Sequence, residues 1–273
     1  MTNSLGPVVT VVMPIHGRPT WLRQALESIL NQSFADWEFI GFLDGVNREA
    51  KEILDSFGGR FVYLSSDENI GAAAARNACI LQAKGKYIAT LDSDDYWPAD
   101  HLQAQVKVLE EFKEIVLVGC SAHMIDGDGK LLSKDIVALD TDLRRKLIKR
   151  NCCVNSSVVF RRDAVMQVGL YRPGLRRVED YHIWLRLALL GEVSNNSNRM
   201  VYYRVHPQQL SAGTPTWSAM KAIGHARYEA ARSLNVSVLE VRVWHWLWVA
   251  WQWTRPATRR LRPAVKGVIA MSR

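Results

Sequence analysis

The sequence predicts an α/β protein: a mainly parallel sheet flanked by helices, followed by a C-terminal helical extension. Three observations carry this prediction. Apolar, β-branched runs without polar alternation recur along the first half of the chain, as strands buried on both faces require. Stretches with helical apolar spacing separate them and are long enough for right-handed crossovers. The acidic stretch Asp92-Ser93-Asp94-Asp95 directly follows the apolar run Tyr87 to Leu91, which puts charge at the carboxyl end of a strand, where ligands bind in open α/β sheets.

Val8 to Met13 is a continuous apolar run that ends at Pro14 and reads as the first buried strand. A helix follows, with Pro19 near its first turn and Leu22, Ala25, Leu26, Ile29 and Leu30 at helical spacing as far as Asn31. Trp37 to Leu43 is a second strand, Arg48 to Phe57 a helix closed by Gly58-Gly59, and Phe61 to Leu64 a third strand. Ala72 to Ala83 is a strong helix pattern, Tyr87 to Leu91 a strand, Ala99 to Phe112 a helix, and Ile115 to Cys120 a further strand. Gly127 and Gly129, set among acidic residues, mark a turn between short antiparallel strands. Beyond residue 140 the pattern is mixed. Ser157 to Phe160 reads as a strand, Tyr181 to Leu190 as a helix stopped by Gly191, and Met200 to Val205 as a strand. Ser211 to Pro215 is a loop, and helices over Thr216 to Leu234 and Ser237 to Trp253 complete the pattern.

With 273 residues and 48% hydrophobic content, the chain can bury a sizeable core, enough for one large domain and an appendage. Met1 to Pro7 has no basic start and Val8 to Ile15 is short and strand-like, so no secretory signal is expected. The absence of a long uninterrupted apolar stretch argues against a transmembrane helix, and the cytoplasm is the expected compartment. Cys79, Cys120, Cys152 and Cys153 lack metal or disulfide spacing and read as reduced, mostly buried thiols.

The net charge of +8 is unevenly distributed. Arg242, Arg255, Arg259, Arg260, Arg262, Lys266 and Arg273 face no acid between residues 241 and 273, which leaves 28 of the 35 basic residues against all 27 acidic ones before that point. The main domain is nearly neutral and the tail carries the field. That balance, with an acidic cluster where a nucleic-acid groove would need basic charge, disfavours a nucleic-acid-binding module.

Three carboxylates in four residues repel one another, and a hard divalent cation relieves the repulsion by taking oxygen ligands. The alternative is a set of solvated turn aspartates, one of which caps the helix near Pro98.

Several motifs recur in order along the chain. They are Val9 to Pro14, Asp44 after the second strand, Asn69-Ile70-Gly71 with Ala75-Arg76-Asn77, Leu91 to Asp95, Glu179-Asp180 with Trp184 to Leu187, and Tyr203-Arg204-Val205-His206-Pro207. In these the chain resembles the family-2 glycosyltransferases of the GT-A (Rossmann-like) fold over residues 8 to 210. The resemblance implies an inverting, metal-dependent enzyme that moves a sugar from a nucleotide-diphosphate sugar to a hydroxyl of a surface glycan, lipopolysaccharide or lipid-linked acceptor. It divides the chain into a catalytic domain over 1–215, with a nucleotide-sugar half (1–120) and an acceptor half (121–215), and C-terminal helices over 216–273. A catalytically inactive donor-binding scaffold is the alternative.

The resemblance also implies roles. Asp94 is a direct ligand of Mn²⁺ or Mg²⁺, Asp92 a ribose or water-mediated contact within reach of the same ion, and His206 reaches back to the metal or pyrophosphate. Asp95 is either a supporting group or the cap of the following helix. Pro14, Asp44, Asn69, Gly71, Arg76, Asp92 and Ser93 are expected around the donor, with Arg76 on phosphate or ribose, in an internal ion pair, or in both roles. Asp180, with Glu179 as alternate, is the expected base for the acceptor hydroxyl. The helix dipole should lower the pKa of Asp180, burial should raise it, and N-capping is the competing role. Ile15-His16-Gly17 and Leu43-Asp44 depart from the family's usual aromatic-asparagine pair and double acid, which leaves the nucleotide base open.

Trp244, Trp246, Trp248, Trp251 and Trp253 are half of the chain's ten tryptophans. At ~100° per residue Trp244, Trp248 and Trp251 share one helix face, with Trp246 and Trp253 nearly opposite. Two apolar stripes imply two partners: the catalytic domain on one side, and an anionic membrane surface met by residues 241–273 on the other. This predicts a peripheral enzyme at the inner face of the cytoplasmic membrane. A core or homodimer helix with a basic tail is the alternative.

Overall fold

Six of the seven strands found among the described residues run the same way in the computed structural model, which describes residues 6–17, 19–137, 142–207, 209 and 214–260, with side chains as far as Thr254. In chain order the elements are β1 (Val9–Ile15), α1 (Leu22–Leu30), β2 (Trp37–Asp44), α2 (Arg48–Ser56), β3 (Phe61–Ser66), α3 (Ala72–Gln82), β4 (Tyr87–Thr90), α4 (His101–Glu111), β5 (Ile115–Ile125), α5 (Leu143–Lys149), β6 (Val159–Arg161), α6 (Arg162–Gln167), α7 (Glu179–Leu187), β7 (Glu192–Arg204), α8 (Trp217–Ser233) and α9 (Val238–Arg260). The strand order is β3-β2-β1-β4-β6-β5-β7. Only β6 opposes its neighbours, β4 and β5.

The period of two along each strand sorts the core into two layers. From β1, Val11, Met13 and Ile15 pack with Leu22, Leu54 and Leu102 of α1, α2 and α4. Val12 points the other way, into the layer of Ile80, Trp184 and Ile223 from α3, α7 and α8. With both faces covered, the central strands β1, β2 and β4 are mainly apolar, as the sequence predicts.

The first strand runs past its expected stop at Pro14 to Ile15. Val12 accepts from Leu91 N–H on the β4 side, and the ladder with β4 then stops at Val12↔Thr90. Pro14 has the same parity as Val12, so its missing N–H faces a side where no strand remains to be bonded. β5 and β7 are also longer than expected, at 11 and 13 residues. Polar Ser194, Asn195 and Asn196 belong to β7, an edge strand with register shifts against β5, where polar side chains do little harm. The short helices α5 and α6 were not evident from periodicity. The expected turn at Gly127 and Gly129 closes through Asp126 N–H to Lys130 O, beside antiparallel bridges Ile125↔Leu131 and Ala122↔Ile136. Cys79, Cys120 and Cys153 are buried, Cys152 is half-buried, and all four are free thiols.

This topology gathers one edge. The carboxyl ends of β1, β2, β4, β5 and β7 all lie there, and because β6 is reversed, the segment entering it, Asn155–Ser157, lies there too. Asp95 joins these pieces. Its buried carboxylate accepts from Arg204 N–H of β7 (2.8 Å) and from the Ser156 hydroxyl (2.5 Å). It does not cap the following helix, whose N-cap residue is Asp100.

The C-terminal helices dock through buried Arg227. Its Nε donates to the Tyr181 hydroxyl on α7 (3.1 Å), Nη2 to Lys149 O on α5 (3.1 Å), and Nη1 meets His245 Nδ1 on α9 (3.3 Å). Burial and the adjacent guanidinium push His245 down to about 4, so the ring is neutral; since arginine only donates, Nδ1 is the acceptor and Nε2 carries the proton. The docked stripe of α9 is Val241, His245, Trp248, Val249 and Gln252. This corrects the expected pairing of faces: of the tryptophans only Trp248 turns inward, while Trp244 and Trp251 stay exposed with Trp246 and Trp253. The polar His245 replaces an indole in the stripe, where it gives Arg227 an acceptor. The basic residues from Arg255 onward lie outside the described side chains.

Burial, then the neighbouring Asp94 and Asp92, raise the Asp95 carboxyl well above its usual value. A group with a raised folded pKa favours folding most below its unfolded value, and that contribution is lost as pH rises from about 4 through the folded value. Asp95→Asn keeps an acceptor for Arg204 N–H and a partner for Ser156 while removing one of the clustered charges. In EDTA at pH 8 it is expected to match or exceed the parent in urea denaturation. Asp95→Ala orphans both partners and is expected to lose about 1–3 kcal/mol.

Candidate active site

The turn after β4 brings Asp92, Asp94 and Asp95 together, with one carboxylate oxygen from each within 4.8 Å of the others. Asp95 N–H donates to Asp92 O (3.1 Å) and closes the turn, with half-buried Ser93 at its tip. Each carboxylate is held differently. Asp92 accepts from Arg76 Nη2 (2.7 Å) and from Asn155 Nδ2 on both oxygens (2.9 and 3.0 Å). Asp95 is committed to Arg204 N–H and Ser156. Asp94 meets His206 Nε2 through Oδ2 at 2.9 Å, a contact spanning 112 residues of sequence. Its Oδ1 has no partner among the described residues, which leaves Asp94 the most available of the three.

His206 is placed by the end of β7. Buried Arg204 donates from Nε to Asp94 O (2.9 Å), from Nη1 to Asp126 O and Gly127 O, and from Nη2 to Gln24 Oε1 (2.7 Å). Trp21 lies beneath the Arg204 guanidinium at 5.0 Å, donates from Nε1 to Gly127 O, and sets its ring 4.9 Å from that of His206. Hard carboxylate oxygens after β4 and an imidazole nitrogen after β7 form a donor set that fits Mn²⁺ or Mg²⁺.

Arg76 lies inside α3, buried between Asp92 and Glu179, whose Oε1 stands 3.5 Å from Nη1. Burial works against its charge, but Asp92, Tyr171 and Glu179 outweigh it and hold the guanidinium above its ordinary value. The ion pair expected for Arg76 is therefore formed, with Asp92 and Glu179 as its partners. Glu179 Oε2 and Arg76 Nε are buried without hydrogen-bond partners among the described residues.

Glu179 and Asp180 form the first turn of α7, but neither caps it: the N-cap residue is Val178, with no side-chain cap. Asp180 instead accepts from Tyr181 N–H (2.6 Å) and Asn151 Nδ2 (3.0 Å). Burial first, and then the charge of Glu179, push its carboxyl up to about 7, so burial prevails over the helix end. Part of the side chain still reaches solvent, and water there moderates the upward push.

Further along the edge, buried Asp44 accepts from Ile70 N–H (2.6 Å) and Gly71 N–H (3.0 Å) and so shapes the entry to α3. Gly71 has φ 84°, a left-handed value that a side chain would strain. Exposed Asn69 lies 2.9 Å from the ring nitrogens of His16, whose Nδ1 is 2.6 Å from Asp44 O. Pro14 is half-buried one residue before the end of β1. The structure thus brings Asp92, Asp94, His206, Arg76, Glu179 and Asp180 into one connected network, with His16, Asp44, Asn69 and Gly71 as a second group. Sequence reasoning missed Asn151, Asn155, Ser156 and Trp21. A run of polar Asn155-Ser156-Ser157 ahead of an apolar strand was the available signal for two of them.

The chain can now be set beside known proteins. A model of "Glycosyl transferase family 2" matches residues 10–169. An uncharacterized glycosyltransferase of Methanocaldococcus jannaschii is 31% identical over 187 residues, 66% of this chain and 64% of the relative. This chain therefore spans just under two thirds of that protein. The putative teichuronic acid biosynthesis glycosyltransferase TuaG of Bacillus subtilis is 28% identical over 242 residues, 85% of this chain and 94% of the relative. Among solved structures, the mannosyltransferase PcManGT of Pyrobaculum calidifontis, in complex with GDP-Man and Mn²⁺, superposes with a TM-score of 0.62 at 15% identity over 97% of this chain and 77% of that one. That likeness shows the fold, the α/β arrangement of the GT-A glycosyltransferases. With more than half of its residues matched, including the elements that carry Asp44, Arg76 and the turn of Asp92, Asp94 and Asp95, the chain belongs to glycosyl transferase family 2.

Proposed function

We propose that this chain transfers a sugar from a nucleotide-diphosphate sugar to an acceptor hydroxyl with inversion at the anomeric carbon. The observation that carries the reading is the joining of Asp94 to His206 at the strand end where Asp92 and Asp95 also converge. Asp94, Asp92 and His206 would hold Mn²⁺ or Mg²⁺, and Asp94 is the best placed because Asp92 is shared with Arg76 and Asp95 is locked in the fold. When bound, the ion supplies positive charge against the negative charge that grows on the departing diphosphate.

The remaining work belongs to side chains. Arg76 ties Asp92 to Glu179 and so fixes the spacing between the donor side and the base side. Asp180, held by Asn151 and Tyr181 N–H, accepts the acceptor hydroxyl's proton as the new bond forms opposite the leaving group. Its raised pKa makes it a stronger base than an ordinary aspartate, and burial first and then Glu179 keep that pKa high. A single displacement of this kind inverts the centre. His16, Asp44, Asn69, Gly71 and Pro14 stand where a nucleoside would lie, and Ser93 at the tip of the turn faces the donor. In this reading residues 1–120 form the donor half, 121–215 the acceptor half and 216–273 an extension. The acceptor is a surface glycan, lipopolysaccharide or lipid-linked glycan, supported by the likeness to TuaG, and the enzyme works in the cytoplasm at the inner face of the membrane.

Asp94→Ala is expected to weaken Mn²⁺-dependent binding of UDP- or GDP-sugars by about tenfold or more, as loss of a metal-site group does; calorimetry with Mn²⁺ and with EDTA checks this, and unchanged affinity would refute the assignment. For Asp180 the sign follows from the base being active when deprotonated. Log(kcat/KM) should rise with pH up to about 7 and then level. Asp180→Asn should abolish that rise and cost roughly 10²-fold or more in transfer while sparing donor binding. A parent profile flat from pH 5 to 9, or a fully active Asp180→Asn enzyme, would move the role elsewhere.

A further inference from the structure

The outward side of α9 is apolar over about half of its circumference. Leu239, Val243, Trp246, Leu247, Trp251 and Trp253 are all exposed, Val243 and Leu247 by more than half. They lie opposite the docked stripe, so the catalytic domain cannot cover them. Trp217 of α8 extends the surface, with its ring 6.1 Å from that of Trp246. An apolar surface this continuous is unusual against water and marks an interaction site.

Charge decides what covers it. Glu240, the acid within the arc, is neutralised by Lys149 at 2.7 Å. Lys149 also lies over Trp244 and Lys221 over Trp217, at 5.4 and 5.6 Å. Arg242, Val243, Trp246 and Leu247 line a shallow groove, which pairs a guanidinium with apolar walls. Seven basic residues and no acid occupy positions 241–273. A second copy of this chain would bring like charges face to face, whereas an anionic lipid surface complements both the ring of cations and the indoles, which favour the headgroup level. No helix among the described residues is long and apolar enough to cross a bilayer, and a helix apolar on its outer side alone lies along the interface.

We propose that the arc of α9 from Leu239 to Trp253 seats in the interface of an anionic bilayer, with Arg242 and Lys221 against lipid headgroups. This deepens the membrane placement given above, and because Arg227 ties α9 to α5 and to Tyr181, next to Asp180, the seated helix would hold the acceptor side of the site at a fixed height above the lipid.

Co-sedimentation of the full chain with phosphatidylcholine vesicles, with and without phosphatidylglycerol, tests it. Binding to the phosphatidylglycerol vesicles alone is expected, weakened by salt and accompanied by a blue shift of tryptophan emission. Val243→Asp/Leu247→Asp, at two exposed positions, should lower partitioning by about tenfold or more with thermal unfolding and nucleotide-sugar binding unchanged. Equal partitioning of the variant, or no binding by the parent, overturns the proposal. A parent dimer that the variant converts to monomer, without vesicle binding, gives the face to a second copy and overturns it as well. Vesicle binding together with failure to bind any nucleotide sugar would count against the transferase reading alone.

Discussion

Electrostatic repulsion at the end of β4 is the constraint to which the rest of the molecule answers. Three carboxylates converge there, and unit charges a few ångströms apart interact by several kcal/mol even at an effective dielectric near 20. The fold resolves the conflict in three ways. Asp92 is balanced by a buried guanidinium and an amide. Burial and the neighbouring Asp94 and Asp92 raise the Asp95 carboxyl and disfavour its negative form, while a backbone N–H and a hydroxyl hold it in place. Asp94 is left to an imidazole and open space. The asymmetry concentrates the remaining negative potential on one residue, which is what a single cation site needs.

Much of the fold was legible in the sequence because burial on both faces makes a strand apolar throughout, and β1, β2 and β4 are of that kind. β7 was half legible. Met200 to Val205 read as a strand, but Ser194 to Asn198 did not, because an edge strand with bulges tolerates polar side chains that in a central strand would be unsatisfied. α5 and α6 are too short for a periodic pattern to stand out from loop sequence.

The site divided in the same way. Asp92, Asp94, His206, Glu179 and Asp180 were recognisable as residue types in an order, and the structure assembles them. What the order could not convey was partnership. Arg76 reads equally well as a phosphate contact or an ion-pair residue until Asp92 and Glu179 are seen on either side of it. Asp44 reads as a ligand contact, and its second task, holding Ile70 and Gly71 N–H at the entry to α3, is not visible in the sequence. Asn155 supports Asp92 across 63 residues of sequence, and nothing local announces such a contact. The face of α9 was misjudged for a related reason: a helical wheel ranks positions by apolarity, whereas Arg227 selected His245 for its lone pair.

The reach of Asp94 to His206 has a consequence for how the molecule comes into being. The acidic turn is complete once residue 95 has been made, yet the backbone N–H that secures Asp95 and the ring that meets Asp94 arrive more than 100 residues later, with β7. Long-range closure of this kind carries a loop-entropy cost and comes late in folding. During synthesis the carboxylates of the turn therefore leave the ribosome well before the strand that carries their distant partners, and the final edge strand acts as the clasp that closes the acidic turn.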